Sequence, residues 1–222
     1  MRKLMIMLFV IFTITATAQS SQKYISVTGT AERTLPADQI EFSIQIETID
    51  ETVMKSKSDN DKSLEHLLEI LEETKIDTNY LNVSPIMIGK NYEQKSGERI
   101  QSGFYARVSV SFILKDLSKY YNLTDKIASI DNFEIIDANY AISDYEAENK
   151  ETYIEALKAA RTKAEYMAET MGVKILGVLE ISDTDMGQPF VVNAMRAKIS
   201  VSGSVSGKVE LSRSVSVKFA ID

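Results

Sequence analysis

Apolar and polar residues alternate with a period of two through most of this chain, and the period lengthens to that of a helix in three places. Tyr24-Ile25-Ser26-Val27-Thr28-Gly29 opens with a short alternating strand. After a turn around Leu35-Pro36-Ala37-Asp38, Ile40, Phe42, Ile44 and Ile46 alternate with Glu41, Ser43, Gln45 and Glu47, which gives one buried and one wet face. Being close in sequence, these two strands are expected to pair as an antiparallel hairpin. Residues 51–74 then carry a helical stripe of Val53, Leu64, Leu67, Leu68 and Leu71, completed by Lys57 and Asn60 at its upper end. Strand character returns at Leu81-Asn82-Val83 and Ile86-Met87-Ile88, where Pro85 predicts an edge position or a bulge. A polar loop holding Gly89 and Gly97 leads to the strongest alternation, Phe104, Ala106, Val108, Val110, Phe112 and Leu114, and the two strands read as a hairpin.

The second half begins with a helix over about 116–130, whose apolar side is Leu117, Tyr120, Tyr121, Ile127 and Ala128. A strand with Ile136, Ala138, Tyr140 and Ile142 on one face follows. The longest helix spans about 146–171, with an inner stripe of Tyr153, Ala156, Ala160, Ala164, Met167 and Met171. Alanines at 156, 160, 164 and 168 allow whatever lies against them to come close, and Gly172 stands where a C-cap glycine belongs. Ile175, Leu179 and Ile181 give another strand, and Val215, Val217, Phe219 and Ile221 give a closing strand that docks in the sheet. Residues 182–207, rich in Gly and Ser, read as a mobile loop in which Phe190-Val191-Val192 is apolar enough to pack on the body or on a neighbour. The order is β-β-α-β-β followed by α-β-α-β-β. The expected class is α+β, with mainly antiparallel sheets and helices packed on one face.

The first residues differ from all the rest. Arg2 and Lys3, an apolar run from Leu4 to Ile14, and Ala16-Thr17-Ala18 form the three parts of a secretory signal peptide over residues 1–18. The run is about half the ~20 residues needed to span a bilayer. Cleavage after Ala18 would leave residues 19–222 as one α+β domain without a transmembrane span, located in the periplasm or loosely associated with the outer membrane. The chain has no cysteine, which excludes disulfides, thiolate metal sites and lipobox attachment. A chain of this length buries roughly 70% of its unfolded surface, enough for stability without staples. Without Arg2 and Lys3 the balance is 23 basic to 32 acidic residues, with the basic ones dispersed. Nucleic-acid binding, which needs clustered cations, is therefore not expected.

Candidate chemistry is sparse. His66, the single histidine, has no serine or aspartate placed to complete a triad. Asp59-Asn60-Asp61 suggests a calcium loop, but the sixth and twelfth positions counted from Asp59 hold Leu64 and Ile70. Asp183-Thr184-Asp185-Met186-Gly187 fails likewise, with Ala194 at the twelfth. Glu72-Glu73 and Glu146/Glu148 are neighbours expected by chance among 32 acidic residues. Gly203 and Gly207 precede no helix, so they cradle no phosphate. Tyr120, Tyr121, Tyr140, Tyr145 and Tyr153 read as packing with hydroxyls at the boundary, or as an aromatic contact surface. Met167, Met171, Met186 and Met195 fit core filling better than a sacrificial antioxidant role. No catalytic, cofactor-binding or metal residues are assigned, and the chain is not expected to be an enzyme.

Several segments, taken in order, resemble the SIMPL-domain family of bacterial envelopes. They are Ile25-Ser26-Val27-Thr28-Gly29 with Pro36-Ala37-Asp38, Ser102-Gly103-Phe104-Tyr105-Ala106 leading to Lys115-Asp116-Leu117, the Ala-rich stretch Glu155 to Ala164, and Val215-Ser216-Val217-Lys218-Phe219. The chain departs at Asp131-Asn132-Phe133, where the family commonly has a glycine. The resemblance implies an exported, non-enzymatic protein that tends to form oligomers, with some members linked to oxidative-stress defence; the expected partners are further copies of the chain, as a homo-oligomer, and envelope proteins. The expected function is thus self-assembly and protein contact in the envelope. The alternative is a small-ligand or chaperone-like binding module, which would need an apolar pocket between sheet and helices.

Overall fold

The computed structural model describes residues 22–183 and 205–222. The expected signal segment 1–18 lies outside them, as does most of the expected 182–207 loop. The chain runs β1 (Tyr24–Pro36), β2 (Gln39–Asp50), α1 (Val53–Thr74), β3 (Asn82–Val83), β4 (Met87–Lys95), β5 (Glu98–Leu114), α2 (Tyr120–Ile127), β6 (Phe133–Ala141), α3 (Tyr145–Met171), β7 (Ile175–Asp183) and β8 (Lys208–Ile221). The class is α+β, as the periodicity predicts, and every strand pairing among the described residues is antiparallel.

The strands form two sheets. One has three strands, ordered β1-β8-β7. The other has five, ordered β3-β5-β2-β6, with β4 on the same edge of β5 as β3. The expected β1–β2 hairpin does not form: β1 pairs with β8, and β2 pairs with β5 and β6. The link Ala37-Asp38 has no glycine for a two-residue hairpin turn, and its backbone donors are taken by residues at or next to the ends of other strands, so the chain continues instead of reversing. It changes partners at this joint. Ala37 N donates to Gly207 O at 3.0 Å, and Asp38 N donates to Ala141 O at 3.2 Å.

Each sheet has its own helix and core. α1 and α2 cover the five-stranded sheet over Ile40, Phe42, Ile44, Ile46, Val110 and Phe112, with the Phe42 and Phe112 rings stacked at 5.0 Å. α3 covers the three-stranded sheet with Ala156, Ala160, Ala164 and Ala168 against Ile25, Val27, Val215, Val217 and Phe219. The four alanines permit the close approach expected of them. A Cβ on Gly29 would lie 2.2 Å from Ala156 O and 2.3 Å from Ala160 N, so the α3 backbone rests directly on β1 there. The buried stripe passes through Ala168 and not, as expected, through Met167 and Met171, which are exposed. A small cluster of Ile142, Val209 and Leu211 with Tyr140 joins the two halves.

α1 begins where Thr52 Oγ1 accepts a hydrogen bond from Lys55 N, and it ends at Thr74 with Lys75 in the left-handed conformation, φ 60°. Its stripe runs through Asn60, Leu67, Ile70 and Leu71, while Val53 is exposed, contrary to the sequence reading. Residues 117–119 form a 3-10 turn ahead of α2, so that expected helix is shorter than read. Residues 89–103, expected to form a polar loop, instead extend β4 and β5 into a two-stranded ribbon closed at Ser96-Gly97. The ribbon leaves the sheet at Gly103. Its φ of 134°, and the 2.5 Å that would separate an added Cβ from Asp50 O, both require glycine. In β6 a bulge opposite Ser43/Ile44 takes Ile136 out of register and leaves it 54% exposed, while Ala138 and Tyr140 face the core as expected.

Candidate functional surface

The residues singled out from sequence do not converge. His66 is exposed on α1. Asp59 binds Lys55 at 2.6 Å and Lys62 at 3.1 Å, and Asp61 binds Lys57 at 2.6 Å, while Asn60 between them points into the core. Glu73 holds Lys126 of α2 at 2.7 Å, and Glu148 holds Arg33 at 2.8 Å. The tyrosines fall into two groups: Tyr120 stacks on Phe42 with the Tyr121 ring edge-on at 5.4 Å and Tyr140, flat against Gly207, on the same core, while Tyr145 and Tyr153 both meet Arg213 of the three-stranded sheet. Asp183 accepts from the Tyr153 hydroxyl at 2.8 Å. Residues 184–204, with Met186, Phe190-Val191-Val192, Met195 and Gly203, lie outside the described residues. Among the described residues no group of three or more His, Asp or Glu side chains is arranged to hold a metal ion.

Four exposed carboxyls sit below their ordinary range. A hydrogen bond from Lys55 lowers Asp59, one from Lys126 lowers Glu73, the Asn79 amide lowers Asp77, and Ser118 lowers Asp116. A carboxyl depressed in the folded state stabilises the fold above its ordinary range, and that contribution is lost as the pH falls through the depressed value. The melting temperature should therefore be flat near neutrality and drop below about pH 4. Each surface pair is small, so the drop should be gradual. A rise in melting temperature between pH 5 and pH 3 by calorimetry would contradict this.

Two of the buried polar side chains, Asn60 and Arg213, make several hydrogen bonds each. Asn60, 0% exposed, donates from Nδ2 to Ile46 O at 3.1 Å and to Ala106 O at 2.9 Å, and so ties α1 to β2 and β5. Arg213, 7% exposed, sits in an inward position of β8 between Leu211 and Val215. It donates to Asn149 Oδ1 at 2.6 Å, Ser212 O at 2.7 Å and Tyr145 Oη at 2.9 Å, and lies over the Tyr153 ring. Both are structural ties between a helix and its sheet. Asn60 was visible on the helical stripe. Arg213 was missed, and its signal was parity, since it falls in the inward set of an otherwise apolar alternation.

What remains is surface. The face of the five-stranded sheet away from α1 carries an open depression of about 340 Å³ lined by Glu41, Ser43, Tyr80, Ser111, Asp137 and Asn139. A smaller groove of about 280 Å³ separates α3 from β7, with Arg161 and Glu165 on one side and Ile175, Leu176, Val178 and Phe219 on the other. Leu176, Val178, Leu179 and Ile181 on edge strand β7 are exposed, as are Ile88 and Tyr92 on β4 and Ile135 and Ile136 on β6.

Comparison with known proteins assigns this architecture to a family. The family model described as "SIMPL: Protein of unknown function (DUF541)" matches residues 25–219. The chain belongs to the SIMPL family. Comparison with curated proteins finds no match. Among solved structures, the crystal structure of an unknown protein from Galdieria sulphuraria matches over 80% of this chain and 82% of that chain, at 10% identity and a TM-score of 0.23, a likeness too slight to carry an argument. The SIMPL-like stretches mark the tight places of the fold. Gly29 receives α3, Gly103 bends β5, and the Ala-rich stretch is the face of α3 that lies on β1. At the departure from the SIMPL pattern, Asn132 takes φ 64°, the left-handed conformation that a glycine would supply, and its carbonyl accepts from Glu47 N. No described helix of this SIMPL chain is long and apolar enough to cross a membrane.

Proposed function

We propose that this SIMPL protein is exported to the cell envelope, periplasmic or loosely attached to the outer membrane, and acts there by self-assembly and protein contacts in support of envelope or oxidative-stress tolerance. The observation that carries the contact reading is apolar exposure along strand edges, reaching 59% at Ile181 and 64% at Leu176 on β7. Edge strands with exposed apolar side chains are templates for another chain unless they are covered. Support for export comes from the tripartite segment Met1–Ala18.

Two measurements test the two halves of this proposal. Fractionation of cells making the full chain should place it in the periplasmic or membrane fraction with Gln19 as its new N-terminus. An intact Met1 in the cytosol would remove the export claim. Size-exclusion chromatography with light scattering should give a multiple of the single-chain mass, and a strict monomer at the highest soluble concentration would remove the assembly claim. The groove between α3 and β7 favours a second reading, a small-ligand or chaperone-like module. Its volume lies near the roughly 300 Å³ lower end of ligand pockets. A thermal-shift screen against envelope lipids and metabolites distinguishes that reading by a rise in melting temperature, lost in Val178→Glu.

A further inference from the structure

The five-stranded sheet carries α1 and α2 on one face, and its other face is hollowed. Glu41 and Ser43 of β2 lie opposite Ile113 and Ser111 of β5 on one side, and opposite Asn139 and Asp137 of β6 on the other. Their neighbours Ile40, Phe42 and Ile44 point into the core, so this set points away from α1. Two backbone features shape the hollow. The bulge of β6 falls at Ile136, next to Asp137, and a bulge bends its strand. On the opposite side the 3-10 turn Thr78–Tyr80 raises Tyr80 as a wall. That turn is held in place. Asn79 N donates to Asp77 Oδ1 at 3.0 Å, and the Lys115 ammonium lies 3.9 Å from the centre of the Tyr80 ring and 3.7 Å from Asp77 Oδ2. Tyr80 stays 45% exposed. Neither Glu41 nor Asp137 has an ion-pair or hydrogen-bond partner among the described residues, whereas Glu47, further along the same face of β2, holds Arg107.

We propose that this hollow binds a neutral saccharide, one or two rings of a glycan, with a ring laid against Tyr80 and its hydroxyls bonded by Glu41, Asp137 and Asn139. The lining selects that class of ligand. Carboxylates accept, the amide donates and accepts, and the hydroxyls of Ser43 and Ser111 do either, so the hollow can match the donors and acceptors around a sugar ring. The C–H face of such a ring is apolar and fits a flat aromatic wall. Other occupants fit less well. An anionic group would meet Glu41 and Asp137, while the Lys115 ammonium beside Tyr80 is already engaged by the ring and by Asp77. A lipid tail would find little apolar surface beyond the Tyr80 ring and Ile113. An extended peptide would find no backbone to pair with on the floor, because β2 and β5 are hydrogen-bonded on both sides there. The volume of 340 Å³ is close to the roughly 300 Å³ at which ligand pockets begin, which fits a short piece of glycan. The hollow lies apart from the strand edges that carry the assembly reading and from the groove between α3 and β7, so its test leaves both readings untouched.

Isothermal titration calorimetry of the purified protein with maltotriose, cellotriose and triacetylchitotriose tests this, with trigalacturonic acid, spermidine and calcium as charged controls. At least one of the neutral trisaccharides should bind with a Kd of about 1 mM or tighter. Its binding should shift the backbone amide NMR signals of Ser43, Ser111 and Asn139. Tyr80→Ala removes the wall and Asp137→Ala removes an acceptor, and each should weaken binding by about tenfold or more. Both positions are exposed, and circular dichroism melts verify folding; if one variant fails to fold, the other carries the test. Lys158→Ala, exposed on α3 in the other half of the molecule, should bind as wild type does. The proposal is overturned if none of the three neutral sugars binds at about 10 mM. It is overturned equally if the folded Tyr80 and Asp137 variants bind as tightly as wild type, or if only spermidine, calcium or the acidic sugar binds.

Discussion

Replacing Gly29 with valine is expected to cost about 3 kcal/mol of folding stability, at the upper end of the usual penalty for overpacking. The cause is where α3 sits. The nearest atoms to an added Cβ are Ala156 O and Ala160 N, which belong to the helix backbone and cannot rotate away. α3 must lift from β1, which also loosens the contacts of Ala156 and Ala160 with the sheet. The same geometry sets a control. Adding Ala160→Gly removes one side-chain clash, the 2.7 Å approach of Ala160 Cβ, but leaves both backbone clashes, so it should not restore stability. Urea melts of the two variants against wild type measure this. A loss below about 0.5 kcal/mol for Gly29→Val, the size of an ordinary surface change, would mean that α3 does not rest on β1 at this point.

Replacing Asn60 with aspartate should be comparably damaging, and it should depend on pH where the parent does not. The amide Nδ2 bridges two strand carbonyls, Ile46 O and Ala106 O, in a fully buried position. An ionised carboxylate there faces two acceptors and water on neither side, and leaving a buried charge unpaired costs about 3–5 kcal/mol. Burial raises the folded-state pKa of such an aspartate above its unfolded value. The variant therefore regains stability as the pH falls below the folded pKa, when the acid can donate one bond, and loses it as the pH rises. Asn60→Ala, which removes the donor without adding charge, should cost about 2 kcal/mol at every pH. Denaturant melts at pH 5 and pH 8 separate the two variants. An aspartate variant equally stable at both values would show that position 60 is wetter than its burial implies.

The strands and helices were legible because each element buries one face, and period reports burial. The pairing of those strands was not. Whether Ile25 and Val27 stand beside β2 or β8 is decided by the Ala37-Asp38 joint and by a strand near the other end of the chain, whose alternation shows that it is a strand but not which strand it joins. Periodicity also fails where burial does. The ribbon of β4 and β5 beyond Gly103 is wet on both faces, so Tyr92, Glu93, Gln94 and Lys95 read as loop although they are hydrogen-bonded strand. A single bulge changes parity within β6, so the reading of Ile136 as inward failed while Ala138 and Tyr140 held. On α3 the buried stripe follows the four-residue spacing of Ala156, Ala160, Ala164 and Ala168, and Met167 and Met171, three residues on from Ala164 and Ala168, fall beside it and are exposed. The candidate surface is the least local feature of all. Glu41, Ser43, Ser111, Asp137 and Asn139 lie in plain view in the sequence, but only the strand order shows that they stand together on one face of one sheet.

The pairing of β1 with β8 also constrains the order of assembly. The hydroxyls of Thr28 and Ser216 meet at 3.4 Å although they are 188 positions apart. The five-stranded sheet draws all its strands from residues 39–141, so it can close while β8 is still unplaced. The three-stranded sheet has no such freedom, because β8 is its middle strand and nothing local can stand in for it. Until that last segment arrives, β1 is a loose leader on a finished half-protein and α3 has no floor to lie on. A chain stalled or clipped short of β8 would keep the half that bears the hollow and lose the other half whole.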